Sequence, residues 1–242
     1  MTEPLRRLWD DQAAAWAAWA RAPDHDAFWR HTRWRLLELL PDPGAMTVDL
    51  GCGEGRFARE LMARGHHVVG VDASFTLAHL AATHADATVT AVGDLASLPV
   101  RDGAADSAVA CMSLQDVDDL HRSVREAARV LAPNGRLTLA IVHPINSAGR
   151  FTDDAATDSP FVIDSAYLSE FRYADDVDRD GLAFTFHSMH RPLEAYARAL
   201  EDAGMLIETI REPAWDESQG ASRSAGWHRV PAFCFIRAVK PG

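Results

Sequence analysis

The sequence predicts an α/β fold in which a mostly parallel, doubly wound sheet is covered by helices on both faces. Strand patterns alternate with helix patterns between residues 46 and 142, as in other parallel sheets. Ligands of such sheets bind at the carboxyl ends of the strands, near the switch in strand order. Five polar residues fall at predicted strand ends: Asp49, Asp72, Asp94, Ser113 and His143.

Length and composition predict one globular domain. The chain has 242 residues, of which 48% are hydrophobic and 24% charged, which suffices for a full core. No stretch reaches the roughly 18 apolar residues of a membrane span. The first residues lack the apolar core of a signal peptide, so we expect a cytoplasmic protein with no membrane partner.

The charge and cysteine content exclude several functions. A net charge of −11 with Lys240 as the only lysine argues against a nucleic-acid partner, which requires clustered cations. Cys52, Cys111 and Cys234 are three, odd in number and widely spaced. They favour neither a disulfide framework nor a zinc site, and we predict no metal.

Residues 1–42 are expected to form a helical cap. Trp9, Trp16 and Trp19 have helical spacing, and a second apolar pattern runs to Leu40. The breaker sequence at 41–44 ends it.

Residues 43–143 carry the alternating core. The predicted strands are 46–50, 67–71, 88–92, 107–113 and 136–142, and the predicted helices are 55–64, 75–84 and 119–132.

The chain then departs from this alternation. Residues 144–190 are predicted to form a lid or substrate insertion, rich in acids, Pro and Gly, whose last part (182–190) alternates like a strand. Residues 191–242 follow with a helix at 192–203, stopped by Gly204, and two strands at 206–211 and 230–239.

The most specific motif is the run from Val48 to Gly55, where Gly51, Gly53 and Gly55 alternate after a strand that ends in Asp49. Glycines at a strand-to-helix turn let the backbone approach a ligand. The spacing differs from the G-x-G-x-x-G of dinucleotide sites. Asp49 would repel a pyrophosphate but suits a ligand with an amino group.

A second acidic residue, Asp72, stands at the end of the next predicted strand. It follows Gly55 by seventeen residues, a position at which a carboxylate suits a ribose diol. The alternative role for Asp72 is to cap the following helix.

These motifs resemble those of class I S-adenosylmethionine (SAM) dependent methyltransferases that act on small molecules. The similarity continues through Gly93-Asp94-Leu95, the strand at 108–114 and the Pro133-Asn134-Gly135 turn, and covers about residues 46–143. It implies a Rossmann-like sheet of seven strands with the last antiparallel. It also implies SAM as the cofactor, with contacts from these residues: Asp49, Gly51, Cys52, Gly53, Gly55, Asp72, Ala73, Asp94, Leu95 and Met112.

The resemblance implies methyl transfer to O or N of a small-molecule acceptor, by a monomer or a homodimer. Since SAM is already activated, a base is required only for a protonated acceptor. His143, after the fifth strand, and His190 are the candidate bases, although a lone histidine is more often structural. Arg191 is expected to pair with Glu194, or else to hold an acceptor carboxylate.

Two alternatives stay open at this stage. One is a SAM-binding protein that catalyses a non-methylating reaction such as cyclisation. The other is an NAD-dependent oxidoreductase, which the glycine spacing and Asp49 disfavour. The sequence does not identify the acceptor.

Overall fold

The computed structural model describes residues 3–22, 25–84, 89–215 and 225–242. Its N-terminal part contains helix α1 (Leu5–Arg21), a π-helical turn (Phe28–Thr32) and helix α2 (Arg33–Glu38). Helices therefore occupy the region where the sequence predicted two helical patterns.

The centre of the molecule is a seven-stranded sheet whose strand order is β10-β11-β5-β4-β1-β2-β3. Neighbouring strands from β5 to β3 are parallel, whereas β11 is antiparallel to both β5 and β10. This confirms the predicted α/β fold and its antiparallel last strand. The strands are β1 (Thr47–Leu50), β2 (Val68–Asp72), β3 (Val89–Val92), β4 (Ala105–Cys111), β5 (Leu131–Val142), β10 (Leu206–Arg211) and β11 (Phe233–Val239).

Besides α2, further described helices pack beside this sheet. They are α3 (Arg56–Met62), α4 (Phe75–Thr83), α5 (Leu120–Val130) and α7 (Leu193–Asp202). In α5 the buried positions recur at helical spacing, with Leu120, Val124 and Ala127 each at most 3% exposed. The Asp119 side chain accepts the Arg122 N–H at 2.9 Å and caps the helix.

The core lies on the two faces of β4 and β5. Ala108, Val109, Leu137 and Ile141 are fully buried, as the continuous apolar runs of parallel strands require. This rigid centre fixes the strand ends at which β1, β2 and β4 meet.

The segment from 144 to 190 is more regular than the sequence suggested. The expected strand at 182–190 is present as β9, but its partner β8 was missed. Here the chain forms α6 (Pro144–Ala148), β6 (Gly149–Phe151), β7 (Phe161–Ile163), β8 (Phe171–Arg179) and β9 (Leu182–His190).

Strand β8 was not predicted because several of its residues are acidic. Asp176 and Asp178 are exposed while Val177 between them is buried, so the strand alternates despite its charge. Asp180 and Gly181 form the two-residue turn to β9, with φ of 54° and 77°, as type I′ hairpin turns require.

Helix α1 connects the central sheet to the β8–β9 hairpin. On one side Ala13 and Ala17 pack with Leu77 of α4. On the other side Trp19 packs with Val177 and Phe184 of the hairpin. The helix therefore lies over the carboxyl ends of the strands.

Candidate active site

The glycine run forms a tight turn between β1 and α3. Gly51, Gly53 and Gly55 have φ values of 72°, 57° and 85°, a left-handed region that side chains disfavour. A Cβ at Gly51 would lie 2.5 Å from the Ser113 Cβ, and one at Gly53 would lie 2.7 Å from the Trp16 ring. The turn therefore depends on glycine for both its conformation and its space.

Asp72 holds this turn in place. Its Oδ2 accepts the Gly53 N–H at 2.8 Å, and its Oδ1 accepts the Ser74 N–H at 2.9 Å. The cap of α4 is Ser74, whose Oγ accepts the Leu77 N–H, so the alternative role of Asp72 as the helix cap is wrong.

Asp49 is a buried carboxylate without a hydrogen bond. It is 1% exposed, and neither oxygen has a hydrogen-bond partner among the described residues. Burial raises its pKa to about 7, and the nearby charge of Asp72 adds to the shift. Burying such a group is costly unless a ligand of opposite charge pairs with it.

These side chains open onto one cavity of about 1220 Å³. That volume exceeds the roughly 300–1,000 Å³ of a typical small-molecule site, so the cavity has room for two ligands. The glycine turn and the ends of β1, β2 and β4 form one wall. Aromatic side chains form much of the remainder: Trp9, Trp16, Trp19, Phe28, Phe57, Tyr173, Phe186, Trp215, Trp227 and Phe233.

Known proteins resemble the half of the chain that carries the glycine turn. A family model described as a methyltransferase domain matches residues 48–139. A demethylmenaquinone methyltransferase of Corynebacterium kroppenstedtii is 37% identical over 114 residues, which are 47% of this chain and 48% of that protein. The chain thus spans about half the length of such relatives.

Two longer matches extend over most of the chain. A ubiquinone/menaquinone biosynthesis C-methyltransferase of a Caulobacter species is 27% identical over 226 residues, 87% of this chain and 78% of that protein. The solved SAM-dependent methyltransferase from Mesorhizobium loti has a TM-score of 0.70 and 26% identity, with 89% of this chain and 99% of that chain covered. The chain thus resembles class I SAM-dependent methyltransferases in its sheet region and, at lower identity, over most of its length.

These matches indicate SAM as the cofactor, and the site suits it. SAM carries an amino group and a positively charged sulfur, either of which would satisfy the unpaired Asp49 carboxylate. The glycine turn leaves space for close backbone approach. Of the ten residues predicted to contact SAM, nine line the cavity: Asp49, Gly51, Cys52, Gly53, Asp72, Ala73, Asp94, Leu95 and Met112.

The tenth, Gly55, is not among the lining residues. It precedes α3 as the N-cap residue, and a Cβ at this position would lie 3.0 Å from the Ala81 Cβ. Cys52 lines the cavity, and burial raises the pKa of its thiol well above the usual range, which keeps the thiol protonated and unreactive.

Helix α1 also covers this wall. Arg6 pairs with Asp94 Oδ2 at 2.8 Å, while Asp94 Oδ1 accepts the Ala96 N–H. Asp10 accepts the Ser74 hydroxyl at 2.5 Å. Arg6 therefore occupies one face of the carboxylate predicted to contact adenine.

The two candidate bases lie outside the cavity lining. His143 Nδ1 accepts the Ile145 N–H at 3.0 Å, and its Nε2 lies 2.7 Å from Glu212 Oε1. His190 is fully buried, with Nδ1 2.7 Å from Ser147 Oγ and Nε2 2.9 Å from the Tyr167 carbonyl. In this structure both imidazoles are used for packing and capping, and a catalytic role for either stays a prediction.

Arg191 does not form the predicted pair with Glu194, which pairs instead with Arg198. The Arg191 guanidinium is buried and pairs with Glu170. It also donates to the Val117 carbonyl at 2.6 Å, so it holds the loop after β4.

Sequence analysis missed a polar cluster where the β8–β9 hairpin meets the turn after β4. Asp116 lies in a 3-10 turn after β4 and accepts the Ser188 hydroxyl at 2.5 Å. Tyr173 is directly opposite Ser188 in the hairpin. The available signal was position, since Gln115-Asp116 directly follows a predicted strand end.

Proposed function

We propose that this chain transfers a methyl group from SAM to O or N of a small-molecule acceptor. The observation that carries the proposal is Asp49, an unpaired buried carboxylate beside a glycine turn, on a cavity larger than one ligand needs. The aromatic walls favour an acceptor with an apolar or ring-shaped body.

Each predicted cofactor contact has a chemical rationale. Asp49 would pair with the positive charge of SAM, and Asp72 would accept from the ribose hydroxyls in addition to its two backbone donors. Asp94 would accept from the adenine amino group and share this role with Arg6. Gly51 and Gly53 have no side chain and would let the backbone approach SAM closely.

The remaining contacts would shape the apolar wall. Cys52, Ala73, Leu95 and Met112 line the same cavity. Met112 has a left-handed backbone with φ of 60°, and its carbonyl accepts from the Gln115 side chain at 2.8 Å. A strained residue at a strand end is typical of functional sites.

When bound, SAM supplies an activated methyl group, so little covalent chemistry falls to the protein. The chain would align the acceptor and exclude water. Helix α1 and the β8–β9 hairpin enclose the cavity opposite the sheet, with Trp9 donating to the His187 carbonyl at 2.9 Å.

Incubation with methyl-labelled SAM and a small-molecule extract tests the proposal. We expect labelled products and accumulation of S-adenosylhomocysteine. SAM binding without that accumulation would indicate a non-methylating reaction such as cyclisation. Binding of NAD in place of SAM would refute the assignment.

A second experiment tests one variant at the wall formed by the glycine turn and the ends of β1, β2 and β4. Asp72→Ala removes the charged acceptor, a loss of about 1.5–3 kcal/mol. SAM affinity measured by calorimetry should fall about 10- to 100-fold. Asp202→Ala, at an exposed acid outside the cavity, should bind SAM like the parent.

A further inference from the structure

The hairpin and the loop after β4 meet at one polar cluster inside the cavity. Ser188 and Tyr173 face each other across β8 and β9, and Ser188 donates to Asp116 Oδ1. All three residues line the cavity. Tyr173 and Ser188 lie outside the region that the family model matches, as expected for residues that select an acceptor rather than bind the cofactor.

Two side chains of this cluster can accept further hydrogen bonds. Among the described residues the buried Gln115 Oε1 has no hydrogen-bond partner, and the half-buried Asp116 accepts a hydrogen bond at Oδ1, from Ser188. Gln115 is 4% exposed and also lines the cavity. An unsatisfied buried acceptor such as Gln115 Oε1 is costly. Together with the free Oδ2 of Asp116, it fits a ligand group that donates more than one hydrogen bond.

The need for more than one donor hydrogen favours an ammonium group over a hydroxyl group. A hydroxyl has one donor hydrogen, whereas a primary ammonium has three. One ammonium therefore has enough donor hydrogens for both Asp116 and Gln115, whereas a hydroxyl has enough for only one of them.

The charge of the cavity favours the same choice. Among the described residues that line it, aspartates outnumber arginines by nine to six. Near Asp116, the cation Arg191 hydrogen-bonds Glu170 and the carbonyls of Leu114, Val117 and Asp118. Trp9, Phe186 and Tyr173 add aromatic surfaces, which attract cations.

We propose that Asp116 and Gln115 bind the ammonium group of an amine acceptor and that Asp116 accepts its proton. This inference rests on the proposed function and narrows it to methyl transfer to nitrogen.

The proton balance is simple. The N–H bond breaks towards Asp116 Oδ2, giving a neutral amine and a neutral carboxylic acid. The freed nitrogen lone pair forms the new N–C bond with the methyl group, whose bonding electrons leave with sulfur. Asp116 then loses its proton to solvent. Burial raises the pKa of Asp116 well above its usual range, which strengthens it as a base.

Binding of two probe pairs to the protein loaded with S-adenosylhomocysteine tests the proposal. The pairs are 2-phenylethylamine with 2-phenylethanol, and tryptamine with tryptophol. Each pair differs only in ammonium against hydroxyl. In at least one pair we expect the amine to bind about tenfold or more tightly than the alcohol.

Two variants locate the preference. Asp116→Asn keeps the shape of the side chain and its bond to Ser188, and the amine preference should disappear. Asp202→Asn makes the same charge change at the surface and should keep it. Affinity for S-adenosylhomocysteine should be unchanged in both variants, which shows that they are folded.

The outcomes are distinct. If neither amine binds, if the alcohols bind as well as the amines, or if the preference persists in Asp116→Asn, the amine site is refuted while the proposed function stands. If the parent protein does not bind S-adenosylhomocysteine at all, the proposed function itself fails.

Discussion

At the scale of single residues, Asp49 and Asp72 are two buried carboxylates that differ in their hydrogen bonds. Both lie on the cofactor wall, which is the part of the cavity formed by the glycine turn and the ends of β1, β2 and β4. Asp72 has two backbone donors, which offset part of its burial, and its pKa is raised to about 6. Asp49 has none among the described residues, and its pKa is raised to about 7. Asp49 is thus the group that gains most from a cationic ligand.

Cofactor binding should therefore be linked to a proton. Below pH about 7, free Asp49 is protonated and must lose its proton to pair with a cation. SAM affinity should be constant above pH about 7.5 and fall as the pH decreases towards 6.5. Calorimetry in buffers of different ionisation enthalpy measures the proton released.

The matched variant is Asp49→Asn. It should bind SAM weakly, with a flat profile over the same range, which lies above the pKa of Asp72. An unchanged slope in this variant would assign the proton to another group. In the cofactor-free protein the raised pKa means that Asp49 lowers stability as pH rises from about 4 to 7.

At the scale of elements, His143 illustrates how a strand end and a helix start share one residue. It follows β5, and its Nδ1 caps α6, a helix of five residues. Burial lowers its pKa, and Glu212 only partly opposes this shift. A neutral ring accepts at Nδ1 and donates at Nε2, which matches its two contacts.

His143→Ala should therefore destabilise the fold. Loss of a cap costs about 0.5–2 kcal/mol, and urea unfolding should show a lower midpoint with SAM affinity retained. His121→Ala, at a half-exposed surface pair with Asp202, should unfold like the parent. Normal stability with lost turnover would instead support the base role.

Elements also show what the sequence could and could not reveal. The core strands were predictable because their apolar runs and glycine turns are local signals. Strand β8 was missed because its exposed face is acidic, although Asp180-Gly181 is a strong hairpin signal. The Asp116 cluster was missed because it joins residues from three separate elements, and only the position of Asp116 after a strand end was a local signal.

The directions of the histidine side chains were not predictable for a related reason. The sequence located His143 correctly at the end of a strand, but it did not show the direction in which the side chain points. Glu212, 69 residues later, holds Nε2, and no local pattern contains such a partner.

At the scale of the whole molecule, the cavity is enclosed by parts distant in sequence. In helix α1, Asp10 hydrogen-bonds Ser74 beside the glycine turn, and Trp9 packs against Phe186 of the hairpin. None of the described helices is long and apolar enough to cross a membrane.

Ligand binding should therefore protect α1 and residues 144–190 together. We expect slower amide hydrogen exchange in both segments when S-adenosylhomocysteine is added, because each lines the cavity. The outer strand β10, away from the cavity lining, serves as the internal control. Equal exchange with and without ligand would show that the segment 144–190 is not a lid.

The antiparallel strand β11 has a consequence for folding during synthesis. Residues 233–239 lie between β5 and β10, so the sheet has a gap until this late part of the chain arrives. Until then β5 and β10 expose unpaired edges, which are prone to aggregate. Nascent chains halted before residue 233 should therefore recruit chaperones, whereas chains extended past residue 239 should release them.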